Sequence, residues 1–339
     1  MISRYDAVLI VGFGGPQQPD DVMPFLRNVT RGRNVPDARL AEVAEQYALF
    51  GGVSPITRQT QELADALEGA LAELDIAVPV YLGNRNWHPF LADTLTEMAA
   101  DGAASVLAIA TSAFSSYSGC RQYREDLDRA LADTELAGLM TIDKVPPFWE
   151  VTGFVDAVTE RVETSLADLP DHDAESAHLI FTAHSIPVAL AETSEYESQL
   201  RTAAAIVADR VGRPHDLVFQ SRSGPPQVPW LEPDIVDHLA VFDPARVAVV
   251  VPLGFVSDHM EVLFDLDTQA AAVAADRGVT MLRVPTVGTL PTFVHGLAES
   301  LAARFRGEAP VTIGGDGGRP FPCAADCCPP PPPRPRPGA

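Results

Sequence analysis

His184 closes an apolar run, Phe181-Thr182-Ala183-His184, and Pro187 stands three residues on, so the run ends as a strand and does not pass straight into a helix. In an open parallel sheet, ligands bind beyond the carboxyl ends of the strands, which is where this imidazole falls. A histidine there either caps a core or acts as a metal ligand or a base near neutral pH. A second group follows the apolar run Val247–Val251 and reads Ser257-Asp258-His259-Met260-Glu261-Val262-Leu263-Phe264-Asp265. A helix capped by Ser257 or Asp258 puts Glu261 and Asp265, four apart, on one face, with Asp258 nearly on it. Such a face is either simply solvated or, where it opens at a strand's carboxyl end, a set of ligands. Across one cleft from His184, these carboxylates and His259 can hold a divalent cation and can accept protons. Imidazole suits Fe²⁺, and clustered carboxylates raise one another's pKa.

A third set is the cysteines. Cys323, Cys327 and Cys328 lie close together, and Cys120 lies far upstream. In a reducing cytoplasm disulfides are disfavoured, so the spacing suggests metal ligation. The glycine-rich segment after the first apolar run argues against a nucleotide. Val11-Gly12-Phe13-Gly14-Gly15-Pro16 has Gln17 where a dinucleotide loop needs its third glycine, and no phosphate loop with GxxxxGK[ST] spacing occurs. No nucleotide is expected, and these glycines are expected to let a flat ligand approach the backbone. Phe13, Tyr117, Tyr123, Trp149 and Trp230 are candidates for the walls of such a site, although each taken alone reads more readily as simple core packing.

The elements that must position these residues alternate. Candidate strands are Ala7–Phe13, Val78–Leu82, Ser105–Ile109, His178–Ala183, Leu217–Gln220 and Arg246–Val251. Candidate helices are Thr57–Leu74, Ala92–Ala100, Tyr123–Ala132, Val151–Ala167, Glu197–Val211 and Thr292–Arg304. Alternation implies parallel sheets with right-handed crossovers, an α/β fold. The pattern starts twice, with a crossing at Pro146-Pro147. It divides the chain into a first lobe over residues 1–146, a second over 147–308 that carries the catalytic candidates, and an extension over 309–339 with the cysteines and a proline-rich tail.

Composition narrows the function classes. A net charge of −22 repels phosphate backbones and argues against nucleic-acid binding. With 46% apolar and 21% charged residues, the chain reads as an ordinary soluble protein. No segment approaches the roughly 20 apolar residues of a membrane span, and the first residues run directly into a strand, so a cytoplasmic protein without integral membrane association is expected. Lysine occurs once, at Lys144, and each arginine near a cleft is a candidate for bidentate carboxylate binding.

Taken together, Gly14–Pro16, Gly51-Gly52-Val53-Ser54-Pro55-Ile56, His88-Pro89, Thr182–Pro187, Gln220–Leu231 and Ser257–Asp267 resemble the ferrochelatase family, in family order over almost the whole chain outside the tail. The resemblance implies two Rossmann-like lobes of the chelatase type, with a porphyrin substrate in the cleft between them and Fe²⁺ as the metal inserted. It implies that His184 and Glu261 form the metal-site and proton-transfer pair, and that Asp258, His259 and Asp265 form a supporting polar path on a helix with a π-type turn. Ser54 and Tyr123 correspond to porphyrin-contact positions, Trp230 and Phe13 to cleft walls, and Arg31 and Arg33 to the segment nearest the propionates. Phe13 departs from the tyrosine common in soluble relatives, and Thr30 and Gln46 stand where some relatives have arginine.

Cys120, Cys323, Cys327 and Cys328 match the cysteine positions of cluster-bearing members, which implies a 2Fe-2S cluster; a zinc site or free thiols are the alternatives. Between coproporphyrin III and protoporphyrin IX, the polar entrance Gln17-Gln18-Pro19-Asp20-Asp21 with Arg27, Arg31 and Arg33 favours the tetracarboxylate coproporphyrin III. A hand-off of the product to the next haem-pathway enzyme follows from that reading. The rival readings are a non-catalytic porphyrin or haem carrier, for which the acidic residues beside His184 have no use, and a sirohydrochlorin or cobalt chelatase.

Overall fold

The computed structural model describes residues 4–32, 35–224, 226–315 and 317–330. Arg33 and the tail from residue 331 lie outside the described residues. The first lobe runs β1 (Ala7–Gly12), α1 (Val22–Val29), α2 (Asp37–Ala48), α3 (Ile56–Glu73), β2 (Val80–Asn84), α4 (Leu91–Ala100), β3 (Ser105–Ala110), α5 (Gln122–Asp133) and β4 (Thr141–Lys144). The second runs α6 (Thr152–Ala167), α7 (Asp171–Ser176), β5 (Ala177–His184), α8 (Val188–Ala191), α9 (Tyr196–Val211), β6 (His215–Gln220), α10 (Ile235–Val241), β7 (Val247–Val251), α11 (Met260–Phe264), α12 (Ala271–Asp276), β8 (Thr280–Arg283) and α13 (Pro291–Arg306). Two π-helical segments interrupt this order, Tyr117–Arg121 before α5 and Asp265–Ala270 between α11 and α12.

Each lobe is built on one four-stranded parallel sheet, ordered β2-β1-β3-β4 and β6-β5-β7-β8. The central strands β1, β3, β5 and β7 are buried along nearly their whole length because helices cover both sheet faces, so they read as continuous Val, Ile, Leu and Ala rather than alternating. The doubly wound expectation holds, and the edge strands β4 and β8 are additions to it. Both edges are four residues long and exposed at their first residue, with no apolar run to betray them.

The two sheets share a core. One apolar cluster contains Tyr5, Ile10, Leu67 and Leu107 of the first lobe together with Phe154, Leu179, Phe181 and Val249 of the second. α13 packs on both α6 and α3, and at its crossing with α6 Gly153 and Gly296 come so close that a Cβ at either would lie 2.5 Å from the other's Cα. Among the described residues no helix is long and apolar enough to cross a membrane.

Candidate active site

His184 is the last residue of β5, paired in register with Gln220 at the end of β6. The β7–α11 connection brings Glu261 opposite it, with Nε2 of His184 and Oε2 of Glu261 3.4 Å apart. Nδ1 of His184 lies 2.5 Å from the Ser185 carbonyl, which can only accept, so Nδ1 carries a proton and Nε2 is the nitrogen turned towards Glu261. The strand end is held further by the Tyr196 phenol, which donates to the His184 carbonyl at 2.9 Å.

The side chains of His184 and Glu261 keep 35% and 54% of their exposure while protein encloses them at longer range, which is the condition of a cleft floor. Burial pushes the Glu261 carboxyl up and the imidazole down, but the hydrogen bond and attraction between the two prevail. Glu261 falls to about 2 and His184 rises above its ordinary value, so the ionised pair is favoured.

Asp265 opens the π-helical segment one turn after Glu261. Its carboxylate accepts a short hydrogen bond from the Ser221 hydroxyl and lies 3.5 Å from Nε2 of Gln220. Burial, and then the negative charge of Glu261, push Asp265 up to about 6, against the opposing hydrogen bond from Ser221. The site therefore holds one carboxylate kept ionised and a second poised to bind a proton near neutral pH.

The other two members of the expected polar path are otherwise engaged. The cap of α11 is neither Ser257 nor Asp258 but His259, whose Nδ1 accepts from the Glu261 amide at 3.2 Å. Asp258 is bound by Arg283 at 2.9 Å, and the same guanidinium holds Asp267. The Asp258 amide donates to Gln59 of the first lobe at 2.8 Å. Burial, and then the neighbouring His184, lower the His259 pKa, partly offset by Glu261 and Asp258, so this imidazole is kept neutral.

The cleft walls follow the expectation unevenly. Phe13 packs edge-on to Phe25 in a cluster where α1 and α2 meet Met260 and Phe264, so the first lobe closes over the helix that carries Glu261. Tyr47 of α2 belongs to the same cluster, where burial, and then the charge of Glu261, raise the pKa of its phenol; no sequence signal beyond its place ahead of Gly51-Gly52 marks it. Trp230 bridges to Pro187 and lies flat against Gly224, where a Cβ would be 2.3 Å from the indole nitrogen.

Ser54 is buried, and its amide donates to the Pro16 carbonyl. Tyr123 is also buried, with the Arg85 guanidinium 4.4 Å over its ring, and belongs to the core cluster on the far face of the first sheet. The Tyr117 phenol donates to Glu125, and Trp149 packs against the shared core. Arg31 is exposed. The glycines at and after the end of β1 are packed closely against the rest of the lobe. A Cβ at Gly12 would meet Asn84 at 2.3 Å, and one at Gly15 would meet Ile56 and Ser54 at 2.8 and 2.9 Å, so they permit close packing within the lobe.

Residues 5–304 match the ferrochelatase family. The chain belongs to that family. It is 48% identical over 98% of its length to the coproporphyrin III ferrochelatase of Streptomyces coelicolor, covering 96% of that protein. It is 49% identical over 98% of its length to the coproporphyrin III ferrochelatase of Frankia alni, covering 88% of that one. In fold it is similar to the crystal structure of the sirohydrochlorin chelatase SirB from Bacillus subtilis in complex with cobalt, with a TM-score of 0.54 over 88% of this chain and 95% of that one at 13% identity. The matched family segment ends before Cys323.

The cysteines form a second constellation. Cys120 sits in the π-helical turn after β3, and the C-terminal segment returns to it. The Cys327 and Cys328 sulfurs are 3.6 Å apart, and Cys328 is hydrogen-bonded to Cys120. Lys144 Nζ donates to the Cys120 sulfur at 3.5 Å, and Nη1 of Arg319 lies 3.9 Å from that of Cys327. The Cys328 hydrogen bond, with help from Lys144 and Arg319, lowers Cys120 to about 5 against its burial, and burial raises Cys323. Arg121 and Arg124 of the first lobe grip the Ala325 carbonyl at 2.6 and 2.9 Å. Among the described residues no three histidine, cysteine or acidic side chains are grouped to hold one metal ion. Two thiolates on one tetrahedral metal stand about 3.8 Å apart when each bond is about 2.3 Å, a spacing that the Cys327–Cys328 pair fits.

Proposed function

We propose that this protein inserts Fe²⁺ into coproporphyrin III with release of two protons, and that His184 and Glu261 carry the step. The observation behind this is the 3.4 Å pair itself, with the imidazole tautomer fixed by the Ser185 carbonyl. His184, once it has given its Nε2 proton to the acidic path, takes a pyrrole proton at that nitrogen, and Glu261 stabilises the imidazolium that results. Asp265, poised near pH 6, accepts a proton from the pair and, with Ser221, passes it outward. Asp258 and His259 set the start of α11 and hold Glu261 in place. The acidic set beside the histidine is what separates this reading from a porphyrin carrier.

The choice of coproporphyrin III draws on the printed activity of the relatives and on the entrance. Asp21 accepts from the Trp87 indole and the Gln17 amide, leaving a polar rim with Arg27 and Arg31 suited to carboxylates. Phe13 and Trp230, both partly exposed, are the proposed walls of the approach, and Ser54 and Tyr123, both buried, support it from within the first lobe. The tetracarboxylate substrate fits a cytoplasmic reaction. Leu49 and Val53, 67% and 39% exposed near Ser54, offer a place for hand-off to the next haem-pathway enzyme. Specificity constants for coproporphyrin III and protoporphyrin IX in detergent-free buffer test the substrate. A preference for protoporphyrin IX overturns that choice and leaves the iron-insertion reading standing.

We also propose that Cys120, Cys323, Cys327 and Cys328 hold a 2Fe-2S cluster. A two-iron cluster needs thiolates in pairs rather than three around one ion, and the low pKa of Cys120 supplies a thiolate at neutral pH. When bound, the cluster supplies a one-electron redox centre; Lys144 and Arg319 offset the negative charge of its thiolates. Zinc without sulfide in anaerobically purified protein is the result that removes this reading.

A further inference from the structure

We propose that Arg319 is a positioning residue that couples the cysteine site to the metal-insertion pair through the first turn of α9. The inference rests on the 2Fe-2S reading above. The Arg319 guanidinium is shared. One nitrogen lies 3.9 Å from the Cys327 sulfur, and another forms a short ion pair with Glu195, the residue that precedes α9. The backbone is shaped for this reach. Gly318 has φ +74°, a Cβ there would lie 2.7 Å from the Glu150 carboxylate, and the same carboxylate accepts the Arg319 amide at 2.9 Å.

A second arm reaches the same turn from Cys120. Ser115 and Ser116 lead into the π-helical segment that carries Cys120, and the Ser116 hydroxyl accepts the Gly119 amide at 2.8 Å. Fully buried Ser115 is locked to Gln199 of α9. Its amide donates to Oε1 at 2.8 Å, and Nε2 of Gln199 donates back to its hydroxyl at 3.0 Å and towards Glu195 at 3.4 Å. The C-terminal segment therefore grips Glu195 and the Cys120 segment grips Gln199, and those two residues meet each other. Between them in sequence stands Tyr196, whose phenol fixes the His184 carbonyl. A change of charge at the sulfurs redistributes the guanidinium between Cys327 and Glu195, and the turn that positions His184 feels it.

Linkage makes this testable without turnover. If cluster charge alters how the cleft holds porphyrin, then porphyrin binding alters the cluster's midpoint potential to the same extent. A tenfold difference in porphyrin affinity between the two redox states reads as about 59 mV for a one-electron couple. The experiment is an anaerobic dithionite titration of the full-length protein, in which one electron takes one ferric ion of the cluster to ferrous, followed by electron paramagnetic resonance. It is run with and without saturating metal-free coproporphyrin III and no added iron.

Wild type is expected to show a porphyrin-dependent shift. Arg319→Gln is expected to have a more negative potential, having lost its cation, and no shift. Glu195→Gln cuts the bridge at its other end, keeps the guanidinium beside the sulfur, and is expected to lose the shift without the fall in potential. Glu195→Gln carries the test alone if Arg319→Gln fails to hold iron and sulfide. An undiminished shift in Glu195→Gln, or no shift in wild type with iron and sulfide present, overturns the coupling alone. Absence of iron and sulfide from the wild-type protein overturns the cluster reading and the coupling with it.

Discussion

Replacing Asp265 by asparagine tests the electrostatic arrangement of the site more directly than removing either member of the central pair. Asp265 is raised from 3.8 to about 6 by burial and by Glu261, so its charged form is disfavoured in the folded protein. A carboxyl raised in this way binds its proton more tightly folded than unfolded, and it lowers stability as pH climbs from about 4 to about 6. The full penalty is present above that window and absent below it. About two units at 1.36 kcal/mol each gives an upper bound of about 3 kcal/mol. Partial solvent access at the cleft reduces this, to about 1–2 kcal/mol.

Asparagine keeps an oxygen for the Ser221 hydroxyl and removes the charge, so Asp265→Asn is expected to be more stable than wild type by that amount at pH 8 and equal to it near pH 3. Urea unfolding of both proteins at the two pH values measures the difference. The same variant is expected to insert iron more slowly and to lose the limb of the pH–rate profile that rises near pH 6. A mutant less stable than wild type at pH 8, or a difference independent of pH, refutes the reasoning.

The remaining predictions follow from the same contacts. His184→Ala is expected to fold and to lose iron insertion by about 10²–10⁴-fold, the usual worth of a general acid–base group, and Glu261→Gln to be slowed severely; single-turnover formation of iron coproporphyrin checks both. Arg283→Gln leaves Asp258 and Asp267 without their shared cation and is expected to cost about 2–3 kcal/mol in urea unfolding, with slower insertion because α11 loses its anchor. Cys120→Ser is expected to bleach the visible absorption of the cluster and to lower the thermal midpoint, since ligation ties the C-terminal segment to the first lobe; retention of iron and sulfide in that variant removes Cys120 from the ligand set.

The parts of this fold that sequence revealed are those where burial writes a local signal. β1, β3, β5 and β7 are covered on both faces and read as apolar runs; His184 ends one of them and the segment carrying Glu261 follows another, so a shared cleft is legible from position, and the family resemblance singles out the pair. β4 and β8 were not, because an edge strand with one neighbour needs no apolar run, and Thr280–Arg283 even ends in the cation that clamps Asp258. α1 and α2 were hidden because their apolar faces meet Phe13, Trp87 and Met260 rather than a sheet. The cap of α11 was misplaced for a long-range reason. Ser257-Asp258 is locally the better cap, but Arg283 claims the Asp258 carboxylate and Gln59 its amide, which leaves the capping to His259. Tyr196 gave no signal, since its partner is a backbone carbonyl whose place depends on the turn after β5.

Two sheets of matching strand order invite the view of two independent lobes joined at Pro146-Pro147, yet the catalytic elements of the second lobe are held in place by the first. Gln59 receives the Asp258 amide, Met260 is seated among α1 and α2, and Ser115 is locked to Gln199 beside Tyr196. Each contact meets a segment adjoining His184 or Glu261 on a different side. The shared core and the double seat of α13 make the relative position of the sheets a packed interior rather than a hinge of loose loops, and interiors at close-packed density resist small displacements. The 3.4 Å approach of His184 and Glu261 is thus a product of both lobes.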